Sequence, residues 1–184
     1  MNQFINDITK EFGMPVHFKK DTTLFHEGDV CQGMLLVLDG SIKVIKYSDS
    51  GKEALLYRVN PDNLCILSVS CLIGNNLYNA EGIAESEING VFIPHPKFME
   101  LLNSNNQFRE FIFKNFAERI SDFIKKLDDI IFKSVKERLL DLMNSPHHAP
   151  KMTHQEMAVE LGTSREVISR LLKVLESEGL LKKV

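Results

Sequence analysis

The chain has 184 residues, 43% of them apolar and 26% charged, with a formal net charge of −3. That is long enough for one large domain or two small ones with real cores. The longest apolar run, Leu64 to Ile73, is far short of the roughly 20 residues that span a bilayer, which argues against a helical membrane protein.

Residues 2–12 read as a short helix. The segment from Met1 to Ile8 has neither a basic nor an apolar leader region, so no signal peptide is expected and the expected compartment is the cytoplasm. The three cysteines, Cys31, Cys65 and Cys71, are then reduced by default. From Val16 to about Ile93 the texture is one of short strands and turns. Met34-Leu-Leu-Val-Leu38 reads as a buried strand, Ile42, Val44 and Ile45 lie in the next, Ala54-Leu-Leu-Tyr57 in another, and Val91-Phe-Ile93 closes the series. His26-Glu-Gly-Asp29, Asp39-Gly40 and Asp49-Ser-Gly-Lys52 punctuate them. This spacing predicts an antiparallel β-barrel or jelly roll over residues 1–103.

Pro94 and Pro96 end the strand texture, and Lys97 to Leu102 reads as a short helix. A long helix follows to about Phe132, within a segment 104–133, and would be roughly 40 Å long. It carries Phe108, Phe111, Phe113, Phe116 and Phe123, with Phe132 at its end, half of the chain's twelve Phe. Ile112, Phe116, Ile120, Phe123, Leu127 and Ile130 trace a near-heptad stripe, and Phe113, Ile120, Ile124 and Ile131 trace a second. One stripe can cover the barrel. The other needs a second copy of the helix, which predicts a two-fold homodimer with Phe116, Ile120, Phe123, Leu127 and Ile130 at its interface. The competing reading is a single broad face buried within one chain.

Ser134-Val-Lys-Glu137 is a capping box that starts a third segment, 134–184, and makes Phe132-Lys133-Ser134 a candidate hinge. Ser145 to Pro150 is a loop; His147 and His148 in it read as solvated. Thr153 and Glu156 form a second capping box, and Met157, Ala158 and Leu161 recur at helical spacing after it. Gly162 allows a turn and Ser164 is a good N-cap. Ile168, Leu171, Leu172 and Leu175 then share one face of the next helix, while Arg165, Glu166, Ser169, Arg170 and Lys173 lie on the other. Two short helices around a Gly162-Thr163 break, the second with a polar outer face, are the build of a helix-turn-helix that enters a DNA major groove. Arg can fork onto guanine, Glu accepts from cytosine N4, and Ser is adaptable. The bland alternative is a helical hairpin with an ordinary solvated face. Residues 1–133 hold 14 basic and 18 acidic side chains and residues 134–184 hold 8 and 7, so affinity for a duplex would rest on locally placed cations.

End to end, the chain resembles the Crp/Fnr family of bacterial transcription regulators. The resemblance is carried by Gly28-Asp29, Gly33, Leu36-Val-Leu-Asp-Gly40-Ser-Ile-Lys-Val44 and Gly51-Lys-Glu53, by the long helix, and above all by Leu161-Gly-Thr-Ser-Arg-Glu-Val-Ile-Ser-Arg-Leu-Leu172. It implies an α+β chain: a cyclic-nucleotide-binding-like barrel, a dimerisation helix, and a winged-helix-like DNA-binding domain. It also implies a homodimer that binds a near-palindromic site on double-stranded DNA and acts through RNA polymerase. Arg165, Glu166, Ser169 and Arg170 match the family's base readers, with Lys173, Thr163 and Ser164 beside them. Arg165 resembles the branch that reads TGTGA and Ser169 the branch that reads TTGAT, so a TGA-containing half-site is expected.

Cyclic-nucleotide members of the family hold phosphate and ribose with a Gly-Glu pair and an Arg-Ser pair. The matching positions here are Cys65-Ile66 and Tyr78-Asn79. Both the carboxylate and the guanidinium are missing, so cyclic AMP is not expected as the ligand. Iron–sulfur members need four thiolates, and this chain has three cysteines, none before Cys31. The cofactor is left unnamed. Cys65, Cys71, Tyr78 and Asn79 are the candidate sensor residues, for a small molecule or a redox signal. Cys65 and Cys71 read either as small buried side chains or as reactive thiols, and haem ligation by a cysteine, His17, His26 or His95 stays open. No His or Cys pair has metal-site spacing.

The expected mechanism is a shift between two dimer states, one of which sets the recognition helices about 34 Å apart, one turn of DNA. Family members usually continue into a β-hairpin wing, whereas this sequence stops at Leu180-Leu-Lys-Lys-Val184, so a truncated wing is expected. That opens an alternative: an interaction protein that pairs with a full-length relative and blunts its DNA binding. An enzyme on a cupin-like barrel is a third reading, without the paired His ligands it would need.

Overall fold

The computed structural model describes residues 8, 12–61, 63–145 and 152–181. The helix expected over residues 2–12 falls mostly outside these, with Ile8 and Phe12 helical, and the His147-His148 loop lies outside them altogether. The chain forms two compact units, residues 1–46 with 56–121, and residues 47–55 with 122–184.

The strands are β1 (Met14–Phe18), β2 (Thr23–Phe25), β3 (Gly33–Asp39), β4 (Ile42–Tyr47), β5 (Glu53–Val59), β6 (Glu81–Ala84) and β7 (Ile88–Pro94). The helices are α1 (Ile66–Gly74), α2 (His95–Ser104), α3 (Asn106–Phe132), α4 (Val135–Asn144), α5 (His154–Leu161) and α6 (Arg165–Ser177). Two antiparallel sheets form, with strand orders β1-β7-β3 and β2-β6-β4-β5. The expected choice between barrel and jelly roll is thus decided for jelly-roll-like sheets. In the first sheet β7 is central, with Val91 opposite both Pro15 and Leu36. Alternation puts Met34 and Leu36 of β3 and Val91 and Ile93 of β7 in the core, where Val44 and Ile88 are also buried. Gly40 turns the chain between β3 and β4 at φ 93°, where a Cβ would sit 2.1 Å from the Glu87 carbonyl oxygen, so no other residue fits without movement.

One element departs from the expected strand texture. The apolar run after Leu64 is the helix α1, which buries Ile66, Ser68, Val69, Cys71 and Leu72 and ends at Asn75 in the left-handed region. A run of this length, apolar on every side, has no period to distinguish strand from buried helix. The stop signal was Asn75, one of the few non-glycine residues that tolerate that backbone.

The long helix α3 has 27 residues. Its first turns belong to the β-rich unit. Phe108 and Ile112 are buried, Phe111 and Phe116 pack on the same core, and Phe108 meets Phe98 edge to face at 5.7 Å. The sequence stripe of Phe116, Ile120, Phe123, Leu127 and Ile130 divides here. Phe116 turns onto its own core and Phe123 is half-buried, whereas Ile120, Leu127 and Ile130 are exposed. Phe113, Ile124 and Ile131 are exposed as well. The division falls between Phe116 and Ile120, one turn apart, because the β-rich core packs on the first and not on the second. Phe113, Ile120, Ile124, Leu127 and Ile131 follow the alternating four- and three-residue steps of a coiled-coil seam.

Candidate nucleic-acid interface and signal site

The C-terminal helices are fixed by their ends. Ser134 and Glu137 close a capping box at α4, and the Ser134 backbone amide and hydroxyl hold the Glu137 carboxyl below the usual carboxylate range. Thr153 and Glu156 close the same box at α5. Gly162 stops α5 in the left-handed region at φ 65°. Thr163 N–H donates to the Ala158 carbonyl at 2.9 Å, and the Ser164 hydroxyl accepts from Val167 N–H at 3.4 Å. Thr163 and Ser164 therefore hold the turn, and Ser164 starts α6.

With its ends fixed, α6 buries Ile168 and Leu175 completely against Leu139, Met157 and Ala158, with Leu171 and Leu172 packed alongside. The opposite face then has to point out. There Arg165, Glu166, Ser169, Arg170 and Lys173 line one shallow groove. The expected base readers are thus brought together on a single surface. Glu166 is held ionised: its own backbone N–H, and then the Ser164 hydroxyl, push its carboxyl below the usual range. A carboxylate so placed is a hydrogen-bond acceptor only. The sequence reading missed His154. Its Nδ1 lies 2.9 Å from the Ser169 hydroxyl, bridging the first turn of α5 to the fifth residue of α6. Lys136 Nζ ties α4 to the far end of α6 through Glu178, at 2.5 and 2.6 Å from its two oxygens.

The sensor candidates belong to the β-rich unit. Tyr78 is buried, stacked on Phe25 with ring centroids 4.0 Å apart. Its hydroxyl lies 2.9 Å from Cys31 Sγ and 2.8 Å from Ser68 Oγ. Asn79 is exposed and its carbonyl accepts from Lys46 Nζ at 2.7 Å. Cys65 precedes α1, with its sulfur 3.6 Å from the Tyr57 hydroxyl, and that hydroxyl also accepts from Leu67 N–H at 3.3 Å. Arg119 of α3 lies over the Tyr57 ring at 4.9 Å. All three cysteines are free and buried. Burial pushes the Cys31 thiol up, and pushes Cys71 up to about 11, against the lowering hydrogen bonds on Cys31. A raised pKa disfavours the thiolate, the reactive form, at Cys31 and Cys71. Burial raises both Tyr57 and Tyr78 as well. His17 and His26 are exposed, each within 3.7 Å of a carboxylate oxygen, of Glu87 and Glu81 respectively. Among the described residues no three His, Cys, Asp or Glu side chains are grouped to hold a metal ion, and no helix is long and apolar enough to cross a membrane.

Residues 15–105 match the family described as the cyclic nucleotide-binding domain, and residues 135–184 match the Crp-like helix-turn-helix domain. The chain belongs to the Crp/Fnr family. It is a Crp-like DNA-binding transcription regulator, not an enzyme. Among curated relatives this Crp/Fnr chain is 27% identical over 172 residues to the cAMP-activated global transcriptional regulator Vfr of Pseudomonas aeruginosa, covering 86% of this chain and 80% of that protein. It is 25% identical over 175 residues to the cAMP-activated global transcriptional regulator CRP of Salmonella typhimurium, covering 89% and 83%. A solved Crp/Fnr-family regulator from Eubacterium rectale superimposes with TM-score 0.82 at 27% identity, over all of this chain and 88% of that one. The c-di-GMP responsive regulator CLP of Xanthomonas campestris shares the fold, with TM-score 0.85 at 20% identity over 100% and 96%.

The buried thiols set a pH dependence. A group whose folded pKa is raised stabilises fully below its unfolded pKa and loses that contribution as pH rises through the folded value. Conformational stability is therefore expected to fall as pH rises from 9.0 toward about 11, with Cys31 and the two phenols acting in the same direction. Each such group adds at most about 1.4 kcal/mol per pH unit. Denaturant titrations across that range check this, and Cys71→Ala should give a shallower fall.

Proposed function

We propose that this Crp/Fnr regulator works as a homodimer that reads a near-palindromic duplex with TGA-containing half-sites, under control of a signal at the β-rich unit. The observation that carries the reading is the groove on α6, where Arg165, Glu166, Ser169, Arg170 and Lys173 share one outward surface. Arg170 and Arg165 each offer a planar fork to guanine O6 and N7, Glu166 an ionised acceptor to cytosine N4, and Lys173 a charge for the phosphates. Thr163 and Ser164 present the turn to the backbone of the same groove. Family membership supports action through RNA polymerase. The match to the Crp-like domain through residue 184 favours this reading over a partner that blunts a relative's DNA binding.

The dimer is formed by α3. Phe113, Ile120, Ile124, Leu127 and Ile131 are a regular apolar seam that one chain leaves exposed, and a second copy of the same helix fits it by two-fold symmetry. Ile130 flanks that seam, while Phe116 and Phe123 back it from the side of their own chain.

The signal is not cyclic AMP. Where cyclic-nucleotide members of the family place a carboxylate and a buried guanidinium, this chain has Cys65-Ile66 and Tyr78-Asn79, and the Tyr78 side chain is already stacked and hydrogen-bonded in the interior. A cyclic phosphate would be desolvated there without a cationic partner. In this respect the chain departs from Vfr and CRP, which carry cAMP in their descriptions.

Selection from a randomised duplex library tests the DNA reading. The chain is expected to enrich TGA palindromes, and Arg170→Ala to lose about 1–3 kcal/mol at one guanine step with the others retained. An unchanged preference in that variant would remove Arg170 as a reader. Ile124→Glu is expected to convert the dimer to monomer in sedimentation and to abolish the shift of a two-half-site duplex. Calorimetric titration with cyclic AMP is expected to show no saturable heat; tight binding would overturn the assignment of the signal.

A further inference from the structure

The helix α6 contains one base-facing residue whose chemistry is not fixed by its type. A serine hydroxyl both donates and accepts, and on its own it serves either kind of base edge. Within a helix it also tends to fold back on the carbonyl four residues earlier, which for Ser169 is that of Arg165. Here Ser169 has another partner. The imidazole of His154, the first residue of α5, places Nδ1 2.9 Å from its oxygen. The bridge spans the two helices that Met157, Ala158 and Ile168 hold together from beneath. Ser169 is half-buried and His154 exposed, so the bond is made at the rim of the groove that Arg165, Glu166, Ser169, Arg170 and Lys173 line.

We propose that His154 is a positioning residue for base reading: it locks the Ser169 hydroxyl in one rotamer and occupies one of its hydrogen-bonding functions. With Nδ1 as the unprotonated ring nitrogen, the Ser169 hydroxyl donates to it and presents only oxygen lone pairs to the base beside it, so Ser169 becomes a selective acceptor in place of an adaptable reader. This rests on the reading of Ser169 as a base contact. His154 itself touches no base.

Selection from a randomised half-site library, with the full-length chain and the variants His154→Ala, His154→Asn, Ser169→Ala and the double variant His154→Ala/Ser169→Ala, tests it. His154→Ala is expected to weaken selectivity by about three- to tenfold, the worth of one hydrogen bond, at a single base step. That step should be the one Ser169→Ala affects. The double variant should be no less selective than Ser169→Ala. His154→Asn, whose amide can occupy the position of Nδ1, should keep most of the selectivity. If His154→Ala lowers affinity evenly across all sequences, His154 is a phosphate contact and the proposal fails. It fails equally if His154→Ala changes selectivity at a different step, or not at all, while Ser169→Ala has an effect. If Ser169→Ala leaves every step unchanged, the assignment of Ser169 as a reader falls, and this proposal with it. Failure of the unaltered chain to enrich any half-site would instead sink the recognition-helix reading as a whole.

Discussion

Burial of Ile168 and Leu175 is the constraint on which the functional surface depends. Both are fully buried, against Leu139 of α4 and Met157 and Ala158 of α5. A helix has one rotational setting that buries residues seven apart, and that setting determines where every other residue points. Arg165, Glu166, Ser169, Arg170 and Lys173 form a surface because those two side chains cannot be exposed without losing about 1.5–3 kcal/mol each. The caps contribute the axial position. Ser164 fixes where α6 begins, and Gly162 fixes the angle at which the chain arrives.

Tyr78, Cys31 and Ser68 form a closed interior set in which each hydroxyl or thiol has a partner. Such a set is stable without a ligand, because no buried charge awaits a counterion. A buried arginine at the Tyr78 position would leave a charge that only an anion could neutralise. Cys65, Tyr57 and Arg119 form a second line of contact, from the start of α1 through an aromatic ring to α3. Arg119 also donates to the Arg58 carbonyl at 3.3 Å and to Asn63 Oδ1 at 3.1 Å. A displacement of α1 therefore meets α3 through packed and hydrogen-bonded groups, and α3 is also the helix that carries the exposed seam.

Much of this was legible in the sequence because it is local. The boxes at Ser134 and Thr153, the turn at Gly162 and the cap at Ser164 are properties of four or five consecutive residues, and the structure has each of them. Short apolar or alternating runs between turn residues likewise placed β3, β4, β5 and β7. The misses are of a different kind. The helix α1 was hidden because a continuously apolar segment carries no period. The stripe on α3 was misdivided because Phe116 and Ile120 differ in what packs on them and not in hydrophobicity. His154 and Ser169 are 15 residues apart and meet only because α5 and α6 cross; no spacing rule within one helix joins them. The Cys31–Tyr78 contact spans 47 residues and is invisible for the same reason. Asn75 and the hydrogen-bonding capacity of His154 were the signals present in the sequence.

A net charge of −3 is compatible with DNA binding for a reason that ties the two units together. Non-specific affinity grows with the number of phosphates neutralised, and among the described residues the α6 groove offers Arg165, Arg170 and Lys173 against Glu166. One such surface is a weak ligand for a duplex. In the proposed dimer, two of them joined through α3 would meet two half-sites in one event, and the second contact would form at the high effective concentration set by the linkage. A groove with so few cations would draw a larger share of its binding from base edges and from symmetry. In the proposed dimer the exposed apolar seam would complement the sparse cationic groove, because pairing through the first would make the second sufficient.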